Sequence, residues 1–221
     1  MASIDEGVRL LDEQNYSKAL ETFLSVDVDP EEHPELSYYL GLCYTNLEKY
    51  DEAVLYLEQA AAGESELPHI YQSRMLLGYI YTVTNRHRLA EFEFSRLIEE
   101  GFESARVHAA LGHVQYALGK TSAAIMQLEK ALEIDGENPT ALNSIGYIMA
   151  DNGIRLQAAL SYCKRAVAAA PENPAYLDSL GWCYFKLGHP DEARRLIKRA
   201  HELAPENEEI TEHWNEVRRS S

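Results

Sequence analysis

The chain has 221 residues, a hydrophobic fraction of 46% and a formal net charge of −16. This hydrophobic fraction is typical of a folded chain and excludes a disordered one. No apolar run approaches the roughly 18 residues that a membrane-spanning helix needs, and so strongly acidic a chain repels nucleic acid, whose phosphates are bound through Lys and Arg. Composition therefore predicts a folded chain with no membrane insertion and no nucleic-acid partner.

The negative charge is concentrated near the N-terminus. Residues 1–70 hold 16 acidic and only 3 basic side chains. One interpretation is a solvated helical surface that keeps the chain soluble, and the other is an acidic lobe that attracts a basic partner. The sequence leaves both open. The first residues are polar and acidic, unlike a signal peptide, so we expect a cytoplasmic location.

The three cysteines, Cys43, Cys163 and Cys183, are odd in number and contain no CxxC pair. We expect them to be small buried side chains with free thiols, which suit a reducing compartment. Neither a metal site nor a cofactor site is predicted from them.

In chain order, the predicted helices are marked by a recurring glycine. It stands at Gly7, Gly41, Gly78, Gly112, Gly146 and Gly181, at intervals of 34, 37, 34, 34 and 35 residues. Twelve residues after each glycine comes an alanine: Ala19, Ala53, Ala90, Ala124, Ala158 or Ala159, and Ala193. Four residues further on stands a larger side chain: Phe23, Leu57, Phe94, Leu128, Cys163 and Ile197. Glycine inside a helix costs about 1 kcal/mol relative to alanine, so close approach of a second helix is expected at each one.

The last copy, residues 174–205, shows the pattern most clearly. Leu177, Leu180 and Tyr184 recur at helical spacing and form one apolar stripe. A turn through Gly188 and Pro190 follows, and a second amphipathic helix ends before Pro205. Each copy is therefore predicted to be a helical hairpin. Residues 208–219 form one more helix, in which Trp214 occupies the position before the missing glycine.

A period near 34 residues with a Leu-Gly pair, a later alanine and a closing proline resembles the tetratricopeptide repeat (TPR) family. The resemblance covers residues 1–207, and the copies numbered five and six are similar to those of bacterial TPR proteins. It implies an all-α fold: a right-handed solenoid of six helix-turn-helix repeats plus a C-terminal capping helix, forming a single domain over 1–221. The expected repeats are 1–33, 34–70, 71–104, 105–138, 139–173 and 174–207, with the capping helix at 208–219.

In TPR proteins the first helix of each hairpin lines a concave groove, and the resemblance places three columns of residues there. They stand three before, one after and four after each glycine, and these offsets share one helix face. This inner stripe is rich in aromatic side chains, which either pack on neighbouring helices or hold a peptide. The predicted binding residues from these columns are Tyr38, Tyr79, His113, Tyr116, Asn143, Tyr147, Trp182 and Phe185. Arg106, outside the columns, is added as a basic residue that selects an acidic flank. The terminal repeats are poorer candidates, because the last is expected to lie under the capping helix.

The sequence contains no motif of a catalytic site. It has no glycine-rich phosphate loop, no Gly-x-Ser-x-Gly and no His-Glu-x-x-His, and its histidines are scattered. We therefore expect no enzyme activity and no cofactor.

Two functions remain. The first is a scaffold that binds a peptide with apolar anchors or a basic partner. The second is an assembly factor of a larger bacterial complex that acts through the solenoid ends or through self-association, so a monomer or a weak homo-oligomer is expected. The subtype that clamps an acidic chain terminus is excluded, because its Lys and Asn are absent from the corresponding columns.

Overall fold

The computed structural model describes residues 3–29, 32–62 and 67–219, with only the backbone of Leu67. Within these ranges every regular element is an α-helix. The helices are α1 (Ile4–Asp12), α2 (Tyr16–Leu24), α3 (His33–Asn46), α4 (Tyr50–Ala62), α5 (Leu67–Val83), α6 (His87–Glu99), α7 (Ala105–Ala117), α8 (Thr121–Ile134), α9 (Pro139–Asp151), α10 (Leu156–Ala169), α11 (Pro174–Lys186), α12 (Pro190–Leu203) and α13 (Glu208–Arg219). None of them combines the length and hydropathy needed to cross a bilayer.

The helices pack as successive hairpins, α1 with α2 through α11 with α12, and α13 follows as a single helix against α11 and α12. The predicted all-α fold of six helix pairs and a C-terminal helix is confirmed. The helix starts obey local rules: Asn138 and Asn173 cap α9 and α11 through their side-chain oxygens, and a proline follows each at the first helical position.

The six recurring glycines allow the two helices of each hairpin to touch. A Cβ added at Gly7, Gly41, Gly78, Gly112, Gly146 or Gly181 would lie under 3.0 Å from the bulky side chain sixteen or seventeen residues later. Those side chains are Phe23, Leu57, Phe94, Leu128, Cys163 and Ile197. The repeat pattern predicts bulky residues at the seam with the next hairpin, and the structure places them against the glycine of their own hairpin. The alanine of the fifth copy is Ala159, which is fully buried.

A second register appears only in the structure. Seven residues after each of these glycines, the hairpin turn places a residue in the left-handed region, and the turn of the fifth hairpin adds a second one, Arg155. In the last three hairpins this residue is a glycine, as at Gly119 with φ +75°, whereas the first three use Gln14, Glu48 and Asn85. Glycine takes this conformation without strain, so the turn is signalled in the sequence only where glycine occupies it.

The chain divides into two compact units, Met1–Glu103 and Ser104–Ser221. Unit 1 contains α1 to α6, with Phe23, Leu40 and Cys43 in a buried cluster. Unit 2 contains α7 to α13, and its core includes Leu128, Met149 and Ile197. All three cysteines are buried free thiols, as expected. The expectation of one continuous domain stays a prediction.

Candidate protein-binding site

The predicted inner-face residues of unit 1 lie in two different environments. Tyr38 is buried, stacks on His69 with ring centroids 4.5 Å apart, and donates a hydrogen bond to Gln72. Tyr79 is 49% exposed and is hydrogen-bonded with Tyr50. Of these two tyrosines, only Tyr79 presents much of its ring to solvent.

In unit 2, α7 carries the two basic members of the predicted site. Arg106 and His113 are both exposed, and they lie seven residues apart on the same helix. Tyr116, one turn beyond His113, is half-buried and donates a 2.7 Å hydrogen bond to the carboxylate of Asp151. Burial raises the pKa of Tyr116 to about 12, and the hydrogen bond to Asp151 acts in the same direction.

A cavity of about 200 Å³ lies between α7, α9, α11 and the start of α13, entirely within unit 2. Four predicted residues line it: His113, Tyr116, Asn143 and Tyr147. Its other lining residues are Ser144, Ile148, Ala175, Asp178, Ser179, Asn207, Glu209 and Ile210. The inner faces of three successive first helices therefore converge on one cavity, which is partly open to solvent and which α13 borders on one side.

The capping helix α13 is fixed to this face by polar contacts. The Tyr147 hydroxyl donates a 2.6 Å hydrogen bond to Glu209, and His213 Nδ1 donates one of 2.7 Å to Asp178 Oδ2. The His213 ring also stacks on Trp182, with centroids 4.0 Å apart and planes 15° apart. The last repeat thus lies under the capping helix, as the sequence led us to expect.

Burial and neighbouring charges shift the pKa values of these groups. Burial raises the pKa of Asp178, while the hydrogen bond from His213 lowers it by less. Burial alone would lower the pKa of His213, but its hydrogen bond to Asp178 and that carboxylate's charge raise it by more. Burial raises the pKa of Tyr147, and Glu209 raises it further by hydrogen bond and charge, so the phenol stays protonated.

Trp182 and Phe185 form a stack beside the cavity rather than part of its lining. Their ring centroids are 5.1 Å apart, and the Trp182 indole donates a 3.1 Å hydrogen bond to Asp151. The Lys186 ammonium lies over the Trp182 ring, 4.7 Å from its centre. Trp182 is 4% exposed and belongs to the core of unit 2, so this member of the inner stripe packs in the core.

Sequence reasoning did not include Asp151, Asp178, Glu209 or His213 in the site. Asp178 was visible as the member of the inner column three residues before Gly181. Glu209 and His213 lie outside the three inner columns, because they stand six and two residues before Asn215, which takes the place of the glycine in α13. Within the described ranges no group of three or more His, Cys, Asp or Glu side chains is placed to hold a metal ion.

Comparison with known proteins agrees with this architecture. Family models described as tetratricopeptide repeat match residues 4–66 and 155–211, and one described as TPR repeat matches 112–153. A TPR repeat-containing protein of Pseudomonas aeruginosa, PA4667, is 30% identical over 115 residues, which are 50% of this chain and 20% of that protein. The BBSome complex member BBS4 of Bos taurus is 27% identical over 172 residues, which are 77% of this chain and 32% of that protein.

This chain therefore spans less than a third of either relative. Solved structures of similar fold include Pseudomonas aeruginosa PilF, with TM-score 0.79 and 16% identity over 99% of this chain and 96% of that one. YrrB, described as a TPR protein with an unusual peptide-binding site, has TM-score 0.63 and 18% identity over 91% and 97% of the two chains. At these identities the likeness shows the fold alone.

Proteins of this fold generally mediate protein–protein interaction and are typically non-enzymatic scaffolds. The three family matches together cover most of the sequence. The chain belongs to the tetratricopeptide-repeat family.

Proposed function

We propose that this protein is a non-enzymatic interaction scaffold that binds a segment of another protein on the inner face of unit 2. The observation that carries the proposal is the cavity itself. His113, Tyr116, Asn143 and Tyr147 come from two helices and line one partly open cavity. A cytoplasmic location and the absence of a cofactor are parts of the same proposal.

The cavity offers both kinds of contact that peptide recognition uses. Tyr116 and Tyr147 supply rigid aromatic walls with their ring planes at 90°, and Ile148 and Ile210 add apolar surface. Such walls hold an apolar anchor at low entropic cost. Asn143 supplies a polar group for the backbone or a side chain of the ligand, and Arg106, exposed on α7, is expected to select an acidic flank.

The experiment is a selection of short linear peptides on the full chain, followed by titration of the selected peptide against variants. Ala175 is exposed and lines the cavity, so Ala175→Trp blocks the cavity without disturbing the core. The matched control is Ala168→Trp at an exposed position of α10, outside the lining. We expect Ala175→Trp to weaken binding about tenfold or more and Ala168→Trp to leave it unchanged. Equal affinity of the two variants would remove the binding site from this cavity.

A second candidate is an assembly factor that self-associates or docks through its outer helices. Its support is a set of exposed apolar side chains on second helices of unit 1: Leu55 on α4 at 56%, and Leu89 and Phe92 on α6 at 47% and 56%. Exposed apolar surface of this kind often marks an interface. Light scattering separates the candidates: a monomer of 25.0 kDa favours the scaffold, and an oligomer that Phe92→Asp dissociates favours assembly.

A further inference from the structure

A second concave site lies in unit 1, where the first hairpin passes to the second. This apolar cleft is open to solvent, has a volume of about 310 Å³, and lies between residues 26–28, α3 and α4. Its apolar lining residues are Val26, Val28, Leu36, Leu40 and Tyr56. The Ser37 hydroxyl in the same lining donates a 3.3 Å hydrogen bond to Gln59, so these two polar side chains satisfy each other. None of the α3 residues in the lining belongs to the three inner columns.

The apolar cleft is large enough for an apolar side chain. An apolar cavity of about 150 Å³ in a protein binds benzene, and this cleft has about twice that volume. Leu36 and Tyr56 are only partly buried, so a ligand that covers them removes further apolar surface from water. The cleft therefore suits an aromatic or a branched aliphatic anchor.

Carboxylates line the surface next to the apolar cleft. An acidic cleft of about 390 Å³ shares residues 26–28 with it, and the residues described as lining this second cleft include no lysine, arginine or histidine. Its acidic residues are Asp5, Asp27, Glu32 and Glu35. They belong to residues 1–70, which hold 16 acidic and 3 basic side chains. A ligand that places lysine or arginine here is attracted, whereas one that places a carboxylate here is repelled.

The charges favour another protein over a second copy of this chain as the occupant. The chain has a net charge of −16, so two copies repel each other. The helix α12 carries four Lys and Arg side chains, but Arg194, Lys198 and Arg199 already pair with carboxylates of unit 2. A second copy is therefore a poorer source of a basic segment than a different protein is.

We infer that the apolar cleft and the acidic cleft together form a second docking surface, for a segment of another protein in which an apolar side chain stands next to a lysine or arginine. The apolar side chain occupies the apolar cleft, and the cation lies against Asp27, Glu32 and Glu35. This surface goes beyond the proposed function, because it lies in unit 1 and takes a basic flank, whereas Arg106 of unit 2 is expected to select an acidic one. It also gives the acidic N-terminal region a specific partner.

The test uses the full chain carrying Ala175→Trp, so that the cavity of unit 2 is blocked and binding reports on unit 1. Oriented libraries of short peptides have Leu or Phe at a central position, and the next position is fixed as Lys, Arg, Gln or Glu. We expect the Lys and Arg libraries to bind about tenfold or more tightly than the Glu library. The difference should shrink as the ionic strength rises from about 0.01 M to about 0.15 M, because the screening length falls from about 30 Å to about 8 Å.

Two matched pairs of variants locate the site. Asp27 is exposed and lines both clefts, so Asp27→Lys should abolish the preference for a basic flank, whereas Glu21→Lys, the same charge change at an exposed position of α2 outside both linings, should keep it. Gln59→Trp fills the apolar cleft from an exposed position of α4 and should weaken binding about tenfold or more, whereas Gln157→Trp, exposed on α10, should not. Because Gln59→Trp also removes the acceptor of the Ser37 hydroxyl, Asp27→Lys decides the location if the Gln59 variant loses stability.

Several results would overturn the inference. One is equal binding of the Lys and Glu libraries, and another is no binding by any library to the Ala175→Trp chain. The same loss in Asp27→Lys and Glu21→Lys would reduce the preference to the general charge of the chain. An oligomer of the chain alone that Asp27→Lys dissociates would make a second copy the occupant. None of these results concerns the cavity of unit 2, so the proposed scaffold function is decided separately, by Ala175→Trp against Ala168→Trp.

Discussion

The inner faces of the two units follow one register but differ in what lies on them. In unit 1, Tyr79 stands one residue after its glycine and is half exposed. In unit 2, Trp182 stands at the same position after Gly181 but is buried under His213 of α13. The repeat position therefore fixes the direction of a side chain. Whether that side chain is buried and stabilises the fold, or remains accessible, depends on whether a helix such as α13 covers it.

The largest expected effect tests this comparison directly. Trp182→Ala should lower the free energy of unfolding by about 3–5 kcal/mol, because it empties a buried aromatic site and removes the indole hydrogen bond to Asp151. Tyr79→Ala, its register equivalent, should change stability by no more than about 0.5 kcal/mol. Chemical denaturation followed by circular dichroism measures both. Similar losses in the two variants would show that covering by α13 is not what distinguishes the positions.

The next effect concerns the contact between the helices of a hairpin, which both units share. Gly112→Leu should destabilise by about 1–3 kcal/mol, because a Cβ there would lie 2.9 Å from Leu128 Cγ and 3.1 Å from the Ala124 carbonyl oxygen. Ala117→Leu, at an exposed position of the same helix, is the control and should leave the unfolding midpoint unchanged. A Gly112→Leu variant as stable as the parent would refute the close-approach explanation of the glycine column.

A smaller effect is expected where α13 meets the inner face at Tyr147. Removing the phenol with Tyr147→Phe deletes the hydrogen bond to Glu209 and keeps the ring, so we expect a loss of about 0.5–1.5 kcal/mol. Tyr162→Phe on α10 serves as the control for loss of a hydroxyl. Thermal or chemical unfolding measures the loss of stability in both variants. A larger loss in the control would mean that the Tyr147 hydroxyl does not anchor α13.

The fourth prediction concerns how the free energy of unfolding changes with pH. The pKa of His213 is raised above its usual value of about 6.5, by Asp178 and also by the charges of Glu209 and Asp151. The folded state therefore binds the His213 proton more tightly than the unfolded state does. The resulting contribution to the free energy of unfolding is complete below about pH 6.5 and disappears as the pH rises through the folded-state pKa of His213. The upward shift of the Asp178 pKa has the same sign at lower pH.

The measurement is the stability difference between the parent and His213→Gln across this range. The advantage of the parent should shrink as the pH increases from about 6.5. An advantage that grows with pH would mean that His213 is neutral in the folded state, and that its contact with Asp178 is an ordinary hydrogen bond.

These comparisons also indicate which features were readable from the sequence. The hairpins and the close approach of their helices at each glycine could be predicted from the sequence. The glycine and its alanine recur at a fixed sequence spacing, and six copies of the pattern support one another. The left-handed turn residues Gln14 and Glu48 could not be predicted, because these residue types rarely take that conformation. Asparagine takes it more readily, so Asn85 carried a weak signal. His113, Tyr116, Asn143 and Tyr147 were identified by register alone, since neighbouring repeats align equivalent positions.

The contribution of α13 lay beyond sequence reasoning. The helix itself was expected, but its rotation determines that His213 meets Trp182 and that Glu209 meets Tyr147. Counted from Asn215, which takes the place of the glycine, neither residue falls in the three inner columns.

The most direct test of the central claim is a chemical-shift map of the labelled full chain as a selected peptide is added. The account predicts the largest shifts at Asn143, including its side-chain amide, and at Tyr116, Ala175 and Asp178, with small changes along the outer helices α8 and α10. Shifts concentrated on α8 and α10, with Asn143 and Asp178 unchanged, would contradict the account by placing the partner on the opposite helices of the same hairpins.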